Sequence, residues 1–464
     1  MMKDTKRRLM TFTFYDRTGI EKDLEKQAAK GWLLEKCAAT GWIYRRIEPA
    51  KIHFAVVYFP AISIFDPEPS EKQKRFQDFC EHTGWELIAT NAQMQIFCNH
   101  RENPIPIETE PAIEVENIHR SVKKTLLPPM VMNLFLAVMQ LGLTYSRFSQ
   151  NPLSELANLT SLISTVFWIM MIFSAAAQLL LYYRWLFKAR KAAKNGYFQE
   201  TRSTDRFQII MSISTYLALV FMLASYGGWK MAIVGHLEVI AIIGTSFLMV
   251  KVTNHLKKKK VSAKVNQLVT YGMAVVFGLI ICGFFLYFMV SINMQDRYDS
   301  DRADPYEYDG WTYYIYHDEI PLRIEDLVET DYEDYSYEMI TDNSSPLLSL
   351  KEARQRHMHD GRDEPEMLYR IVEVKATWLY DFVLTVMQED FDHNHAYPED
   401  DPNWEEHRPL NPGPWGASNV YQLILGGEPY FRYLLCYDNC IIEIDLDWEP
   451  TEKEMTVIAD KLLP

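Results

Sequence analysis

Two histidine pairs in the last quarter of the chain have the residue types and spacing of a metal site. His357 and His359 form one His-x-His pair, and His393 and His395 form the other. Acidic residues lie close to both pairs in sequence, and imidazole with carboxylate suits zinc or another divalent cation. The segment around the second pair is mostly hydrophilic, however, and such residues usually solvate a protein surface. Metal binding is therefore a hypothesis, and a solvated loop is its alternative.

Two cysteines near the end of the chain, Cys436 and Cys440, flank the turn residues Asp438 and Asn439. A three-residue hairpin loop would set the two thiols opposite each other, close enough to form a disulfide in an oxidising compartment. A two-residue turn would put them out of register. The sequence leaves both turn lengths open.

The chain contains none of the common catalytic signatures. It has no phosphate-binding glycine loop, no Gly-x-Ser-x-Gly motif and no His-Glu-x-x-His motif. We therefore expect a protein that is not an enzyme and has no cofactor.

Five long apolar segments organise the middle of the chain. They cover about residues 126–146, 160–183, 207–228, 231–250 and 268–291. A helix needs about 20 apolar residues to cross the hydrocarbon core of a bilayer. The sequence therefore predicts a multi-pass membrane protein with a five-helix transmembrane bundle over residues 126–291.

The basic residues predict the orientation of these helices. Lys and Arg number three just before the first segment, seven between the second and third, and six between the fourth and fifth. The two other loops carry one each. Because positive loops stay inside, we predict a cytoplasmic N-terminus and an extracytoplasmic C-terminus in the plasma membrane.

The overall charge of −15 averages two opposite parts of the chain. Residues 292–464 contain 40 acidic and 13 basic residues, whereas residues 1–291 contain 22 acidic and 34 basic ones. The positive part is explained by cytoplasmic loops that face anionic lipid. The lipid bilayer is therefore an expected partner, and nucleic acid is not.

The N-terminal part, residues 1–103, is predicted to be a small α+β domain of two strand–helix–strand–strand repeats that share one sheet. Gly31-Trp32 and Gly84-Trp85 mark the same point in each repeat, 53 residues apart. Capping-box spacing suggests that the helices begin at Thr18 and Ser70. A glycine before an apolar strand is common, so the repeat could also be coincidence. Residues 104–125 are predicted to be a polar linker.

The acidic C-terminal part, residues 292–464, is predicted to be an external α+β domain. Val420–Leu425, Tyr430–Tyr437 and Ile441–Leu446 have the pattern of three strands. Thr451–Leu463 has the pattern of a closing amphipathic helix.

Within the five predicted spans, His236 and Glu238 are the only imidazole and carboxylate side chains. Ionisable groups in a membrane often mark a functional site. These two lie near the outer end of their segment, and at positions i and i+2 they do not share a helix face. No deeper polar partner is evident in the sequence, which weakens the case for an ion or proton path.

The N-terminal domain resembles a known family. The run from Phe14 to Leu34, Glu48-Pro49 and the run from Glu81 to Ile88 are similar to a domain of unknown function. That domain occurs in Gram-positive multi-pass membrane proteins, which are often encoded beside PadR-like repressors, and this implies a regulated role. At the level of fold alone, paired repeats of this kind also resemble the small-molecule-binding module of multidrug-sensing regulators.

The predicted strands of this domain are rich in aromatic residues. We hypothesise that Trp32, Trp42, Tyr44, Trp85 and Phe97 line a groove for a small apolar ligand or a partner protein. Filling the core of a domain of this size is the main alternative, because aromatic rings do that well. Docking onto the membrane loops is another.

Three classes of function remain open. The protein is a sensor or regulatory component of the bacterial cell envelope, a transporter subunit, or a non-catalytic envelope scaffold. The first class is favoured because the sequence combines a recognition-type domain, several spans and an acidic external domain.

The predicted orientation can be tested with reporter fusions. Fusions after residues 120, 195 and 258 should report a cytoplasmic location, and a fusion at the C-terminus should report an external one, because of the Lys and Arg alternation. A cytoplasmic C-terminus would contradict both the number of spans and the placement of the acidic domain.

Overall fold

The computed structural model describes the chain except for residues 1–4, 10–11, 39–40, 68, 92, 202–204, 298–302, 331–333, 358–363 and 392–403. The chain divides into two compact units. The first contains Met1–Leu141 and Val166–Phe288, and the second contains Gly142–Thr165 and Met289–Pro464. Each unit therefore combines a terminal domain with part of the apolar middle region.

The N-terminal domain consists of two repeats, as the sequence predicts. The first contains β1 (Thr5–Arg8), α1 (Arg17–Ala29), β2 (Trp32–Ala38) and β3 (Gly41–Arg46), and the second contains β4 (His53–Tyr58), α2 (Glu71–His82), β5 (Glu86–Asn91) and β6 (Met94–Asn99). The prediction of one shared sheet is wrong. Each repeat forms its own three-stranded antiparallel sheet, with strand orders β1-β3-β2 and β4-β6-β5.

The two repeats match in detail at an offset of 53 residues. Gly31 and Gly84 end the two helices with positive φ angles of 80° and 89°, a conformation that glycine adopts at no steric cost. The hairpins that follow have the same register, and each carries a β-bulge in its first strand, after Leu34 and after Leu87. This shared irregularity supports duplication over coincidence.

One predicted helix start is confirmed and the other is wrong. The side chain of Ser70 caps α2 and accepts a hydrogen bond from the backbone N–H of Gln73. Helix α1 is capped by Asp16, which accepts from Gly19, so the helix starts before the predicted cap Thr18. The first turn of α1 therefore includes Arg17 and Thr18, and both side chains are available for contacts elsewhere.

The predicted linker contains a helix, α3 (Pro111–Thr125). Val115, Ile118 and Val122 form a buried apolar stripe that joins the core of the N-terminal domain. Their spacing of three and then four residues places them on one helix face. Residues 111–125 are therefore part of the N-terminal domain, and the linker prediction is wrong for this stretch.

The apolar middle of the chain forms long helices, as predicted. They are α4 (Leu127–Gln150), α6 (Leu159–Lys194), α7 (Asp205–Lys258) and α8 (Ala263–Arg297), with a short α5 (Pro152–Ala157) after α4. Within the described residues, four helical stretches are long and apolar enough to span a membrane: Leu127–Gln150, Leu159–Lys194, Ile233–Lys258 and Ala263–Ser291. A shorter apolar stretch covers Ile209–Met222.

Helix α7 runs for 54 residues where the sequence predicts two spans separated near residue 229. Along a straight helix, Tyr216 and His236 would lie about 30 Å apart. Their ring centroids are only 6.3 Å apart. The chain must therefore reverse direction between these residues, in the interval that contains Gly227 and Gly228. Helix α7 is a helical hairpin whose two halves meet without a non-helical residue between them.

The C-terminal domain is built on a seven-stranded antiparallel sheet of order β12-β13-β14-β15-β11-β10-β9. The chain enters it through a separate hairpin, β7 (Ala303–Tyr308) and β8 (Trp311–Tyr316). The sheet strands are β9 (Ser336–Ser344), β10 (Leu348–Arg356), β11 (Met367–Val374), β12 (Glu405–Leu410), β13 (Asn419–Leu425), β14 (Glu428–Cys436) and β15 (Cys440–Leu446), and the helices are α9 (Tyr380–Phe391) and α10 (Glu452–Leu462). The three strands and the closing helix predicted from the sequence are confirmed.

Each face of this sheet has its own core. Helix α10 contributes Ile458 and Leu462 to one face. Helix α9 covers the other face, where Leu153 and Ala157 of α5 are buried beside it, with 5% and 0% of their surface exposed. The segment between α4 and α6 is therefore an integral part of the C-terminal domain.

The reversal in α7 can be tested by cross-linking. In a protein whose native cysteines are replaced by serine, Tyr216→Cys with His236→Cys should be joined by a short bifunctional maleimide, because the two rings are in contact. Mass spectrometry of the digested protein would detect the joined peptides. The control pair Tyr216→Cys with Ser246→Cys should not react, since Ser246 lies about 15 Å further along the helix. No product from the first pair would show that α7 is straight.

Candidate functional site

The aromatic rings that the sequence predicts in a groove are mostly core residues. Trp42, Tyr44, Trp85 and Phe97 expose 6%, 0%, 4% and 0% of their surface. These four rings therefore do not line an open groove, because the two sheets and their helices use them as core. Trp32 is half-buried, and the cations of Lys6 and Arg46 lie 5.5 and 5.0 Å from its ring.

The four-histidine metal site is only partly within the described residues. His357 lies 3.4 Å from the carboxylate of Glu366, measured from Nε2 to Oε1. The other three histidines, His359, His393 and His395, lie outside the described residues. This metal site stays a prediction.

The predicted disulfide between Cys436 and Cys440 is wrong. The turn has two residues, so Cys436 lies opposite Ile441, and the N–H of Tyr437 bonds to the carbonyl of Cys440. The two thiols belong to the cores on opposite faces of the sheet and are free. Burial raises the pKa of Cys436 to about 11 and that of Cys440 to about 12.

The two polar residues of the predicted fourth span lie on the second half of α7. His236 packs edge-on against Tyr216 of the first half. Glu238 is half-buried. His236 thus takes part in the contact between the two halves of the helical hairpin.

A cluster of charged residues that the sequence did not indicate lies between α1 and α3. It consists of Arg17, Glu21, Glu108 and Glu114, and we call it the Arg17 cluster. Nη1 of Arg17 lies 2.7 Å from Oε2 of Glu114, and its Nε lies 3.9 Å from Oε1 of Glu21. The same Glu21 oxygen accepts a 2.9 Å hydrogen bond from the backbone N–H of Val56 on β4. The cluster therefore joins both repeats to α3.

Three carboxyl groups share the single guanidinium of this cluster. Burial raises the pKa of Glu21 and of Glu114 to about 7, and that of Glu108 to about 6. The charge of Arg17 lowers all three pKa values but does not cancel the effect of burial. The protonation of the cluster therefore changes near neutral pH, and such perturbed groups often mark functional sites.

The segment that follows α6 lies beside the Arg17 cluster. The backbone N–H of Thr201 donates to Oγ1 of Thr18 at 2.9 Å, and the Thr201 hydroxyl donates to the carboxylate of Asp16. The guanidinium of Arg17 lies 5.6 Å from the ring of Phe198. The start of α1 is therefore joined to the connection between α6 and α7.

Two of the long helices, α6 and α8, also contact the N-terminal domain. On α6, the hydroxyl of Tyr182 hydrogen-bonds His119 of α3 at 2.7 Å and its ring packs edge-on against Tyr15. On α8, Asn266 donates to the backbone carbonyl of Phe65 at 3.3 Å. The N-terminal domain thus contacts α6, α8 and the connection to α7, while α3 leads directly into α4. This arrangement suits mechanical coupling.

A second group of metal-binding residue types lies on the β5–β6 hairpin. The ligand atoms of Glu86, Cys98 and His100 all lie within 4.8 Å of one another. No sequence motif indicated this group, because Glu86 is distant from Cys98 in sequence. Only the pairing of β5 with β6 places the two residues side by side.

The comparison with known families agrees with this domain boundary. Residues 16–129 match a family described as "Protein of unknown function (DUF2812)". The match begins at Asp16, the cap of α1, and runs through α3 to the start of α4. It therefore includes the whole Arg17 cluster, and it confirms the expectation of an N-terminal domain of unknown function. No curated protein and no solved structure matches the chain.

The Arg17 cluster predicts an unusual dependence of stability on pH. The folded protein holds the proton of Glu21 up to a pKa of about 7, whereas the unfolded chain releases it near 4.5. The folded state binds more protons in this window, so the free energy of unfolding should fall as the pH rises from about 4.5 to 7. Glu21→Gln keeps an acceptor for Val56 and removes the titration. The variant should be more stable than the wild type at pH 8, with a smaller difference at pH 5.

Thermal unfolding of the full-length protein in detergent, followed by tryptophan fluorescence, would measure this effect. Glu81→Gln changes an exposed carboxyl on α2 and should leave the pH dependence of the wild type unaltered. If the melting temperatures of the wild type and of Glu21→Gln changed with pH in parallel, the pKa of Glu21 would be the same in the folded and the unfolded protein. That result would contradict the prediction.

Proposed function

We propose that the protein is a sensor or regulatory component of the bacterial plasma membrane. It couples an acidic domain outside the cell to the N-terminal domain in the cytoplasm. Helix α4, the first candidate span, is one of the helices that run from one domain to the other.

The observation that carries this proposal is that both ends of α4 continue into folded cores. Before α4, the buried stripe of α3 packs into the N-terminal domain, and only Leu126 separates the two helices. After α4, Asn151 alone separates it from α5, whose Leu153 and Ala157 are buried in the C-terminal domain. A helix of 24 residues is about 36 Å long, enough to cross the hydrocarbon core. In this proposal, a shift of one domain is passed along α4 to the other.

The reversal in α7 supports five membrane crossings. With five crossings the two ends of the chain face opposite sides, as the positive loops predict. The loops predicted to be cytoplasmic fall in the same compact unit as the N-terminal domain, and the external loop after the first span falls in the same unit as the C-terminal domain.

Polar contacts of the spanning helices favour coupling over transport. In the described parts of α7 and α8, the buried side chains of Thr253, Asn266 and Thr270 hydrogen-bond to each other or to the backbone. They lie near helix ends, and Asn266 also bonds to the N-terminal domain. A transporter would instead use such groups at a site near the middle of the membrane. A regulatory role also agrees with the resemblance to membrane proteins encoded beside PadR-like repressors.

The proposal can be tested by separating α5 from the C-terminal domain. Leu153→Asp places a charge in an apolar core and should release α5, because an unpaired buried charge is strongly unfavourable. Hydrogen exchange of the full-length protein in lipid nanodiscs should then become faster in α5 and α9 and also in α3. The matched control is Ser154→Asp, which puts the same charge at the exposed neighbouring position and should change neither region. Faster exchange confined to the C-terminal domain would refute the coupling.

A further inference from the structure

One face of the β5–β6 hairpin brings together a thiol, an imidazole and a carboxylate. Cys98 and His100 are two residues apart, so their side chains point to the same side of the strand. Glu86 lies directly opposite Cys98 on the neighbouring strand. Sγ of the cysteine, a ring nitrogen of the histidine and a carboxylate oxygen of the glutamate lie within 4.8 Å of one another.

These distances are close to those of a metal site. Zinc bonds of about 2.0–2.3 Å in tetrahedral geometry place ligand atoms roughly 3.5 Å apart. Glu86 and His100 are exposed and can rotate towards a cation, whereas Cys98 is 1% exposed and held by the fold. Because one ligand is fixed and buried and the other two can move at the surface, the distances between the three ligand atoms can shorten to those of a zinc site.

The internal duplication shows that the fold does not require these three residues. The positions 53 residues earlier, in the first repeat, are occupied by Leu33, Arg45 and Ile47. That hairpin has the same register and the same bulge with no metal-binding residue at these positions. The thiol, imidazole and carboxylate are therefore specific to the second repeat.

We propose that Glu86, Cys98 and His100 bind one zinc ion. Thiolate, imidazole and carboxylate together favour zinc over harder cations such as magnesium or calcium. Binding forms the Zn–S bond and releases the thiol proton to solvent, with no change of oxidation state. Three protein ligands leave one position for water, as in zinc sites that exchange a ligand. The predicted cytoplasmic location keeps the thiol reduced and able to bind.

Cobalt(II) is a suitable spectroscopic probe for this site. Full-length protein in detergent, reduced and freed of metal by a chelator, should bind cobalt with a thiolate charge-transfer band in the near ultraviolet. One equivalent of zinc per chain should remove that band. Cys98→Ser should abolish it, and His100→Gln and Glu86→Gln should each weaken binding about tenfold or more.

Two matched variants in the same domain control for unrelated thiols and histidines. Cys80→Ser removes a second buried thiol of the N-terminal domain, and His82→Gln removes an exposed histidine of α2. Both should bind cobalt like the wild type. His100→Gln changes an exposed side chain, so its effect does not depend on whether Cys98→Ser folds. The proposal is overturned by the absence of a thiolate band at saturating cobalt, by a band that persists in Cys98→Ser, or by equal affinities of His100→Gln and His82→Gln.

Discussion

The packing of α3 against the N-terminal domain is the contact on which the rest of the structure depends. Val115, Ile118 and Val122 are buried, and each such side chain contributes about 1.5–3 kcal/mol relative to full exposure. The Arg17–Glu114 pair on the same helix is a weaker source of stability, because desolvation offsets much of the attraction in a buried pair. The apolar stripe therefore holds α3 in place, and the ion pair fixes its position along α1. Since α3 leads into α4, the same contact sets where the first candidate span begins.

Duplication explains how one small domain can have two different surfaces. Trp32 and Trp85 occupy equivalent positions, yet Trp32 is half-buried beneath two cations, whereas Trp85 is buried and donates to the carbonyl of Ile105 at 2.8 Å. The first repeat uses Tyr15 and Thr18 to contact the connection and helices of the membrane region. The second repeat carries the metal-binding residue types. Two copies of one fold have thus taken different contacts while keeping the same register.

Patterns that are local in sequence predicted much of this fold. The length of the apolar runs predicted the long helices. Strand periodicity, together with the glycines that end helices, predicted the two repeats and the C-terminal strands. The helix over 111–125 was missed because its polar and proline residues resemble a linker, although Val115, Ile118 and Val122 carry a helical stripe. The Arg17 cluster could not be read from the sequence, since Arg17 and Glu114 are almost a hundred residues apart and look like solvated helix residues. The prediction of the disulfide was wrong for a local reason, because the turn between the two cysteines has two residues instead of three.

The burial of α5 gives the C-terminal domain a second role besides its own folding. One face of its sheet is covered by α9 and by α5, which precedes α9 by about two hundred residues in the chain. The core of this face is therefore complete only when both parts of the chain are present. Phe148 at the end of α4 also stacks on Phe382 of α9, with centroids 6.3 Å apart. The last turn of the first span is thereby held by the C-terminal domain, just as α3 holds its beginning to the N-terminal domain. A helix whose two ends are each fixed by a folded core cannot tilt or slide without changing one of those cores, and this is the physical argument behind the coupling that we propose.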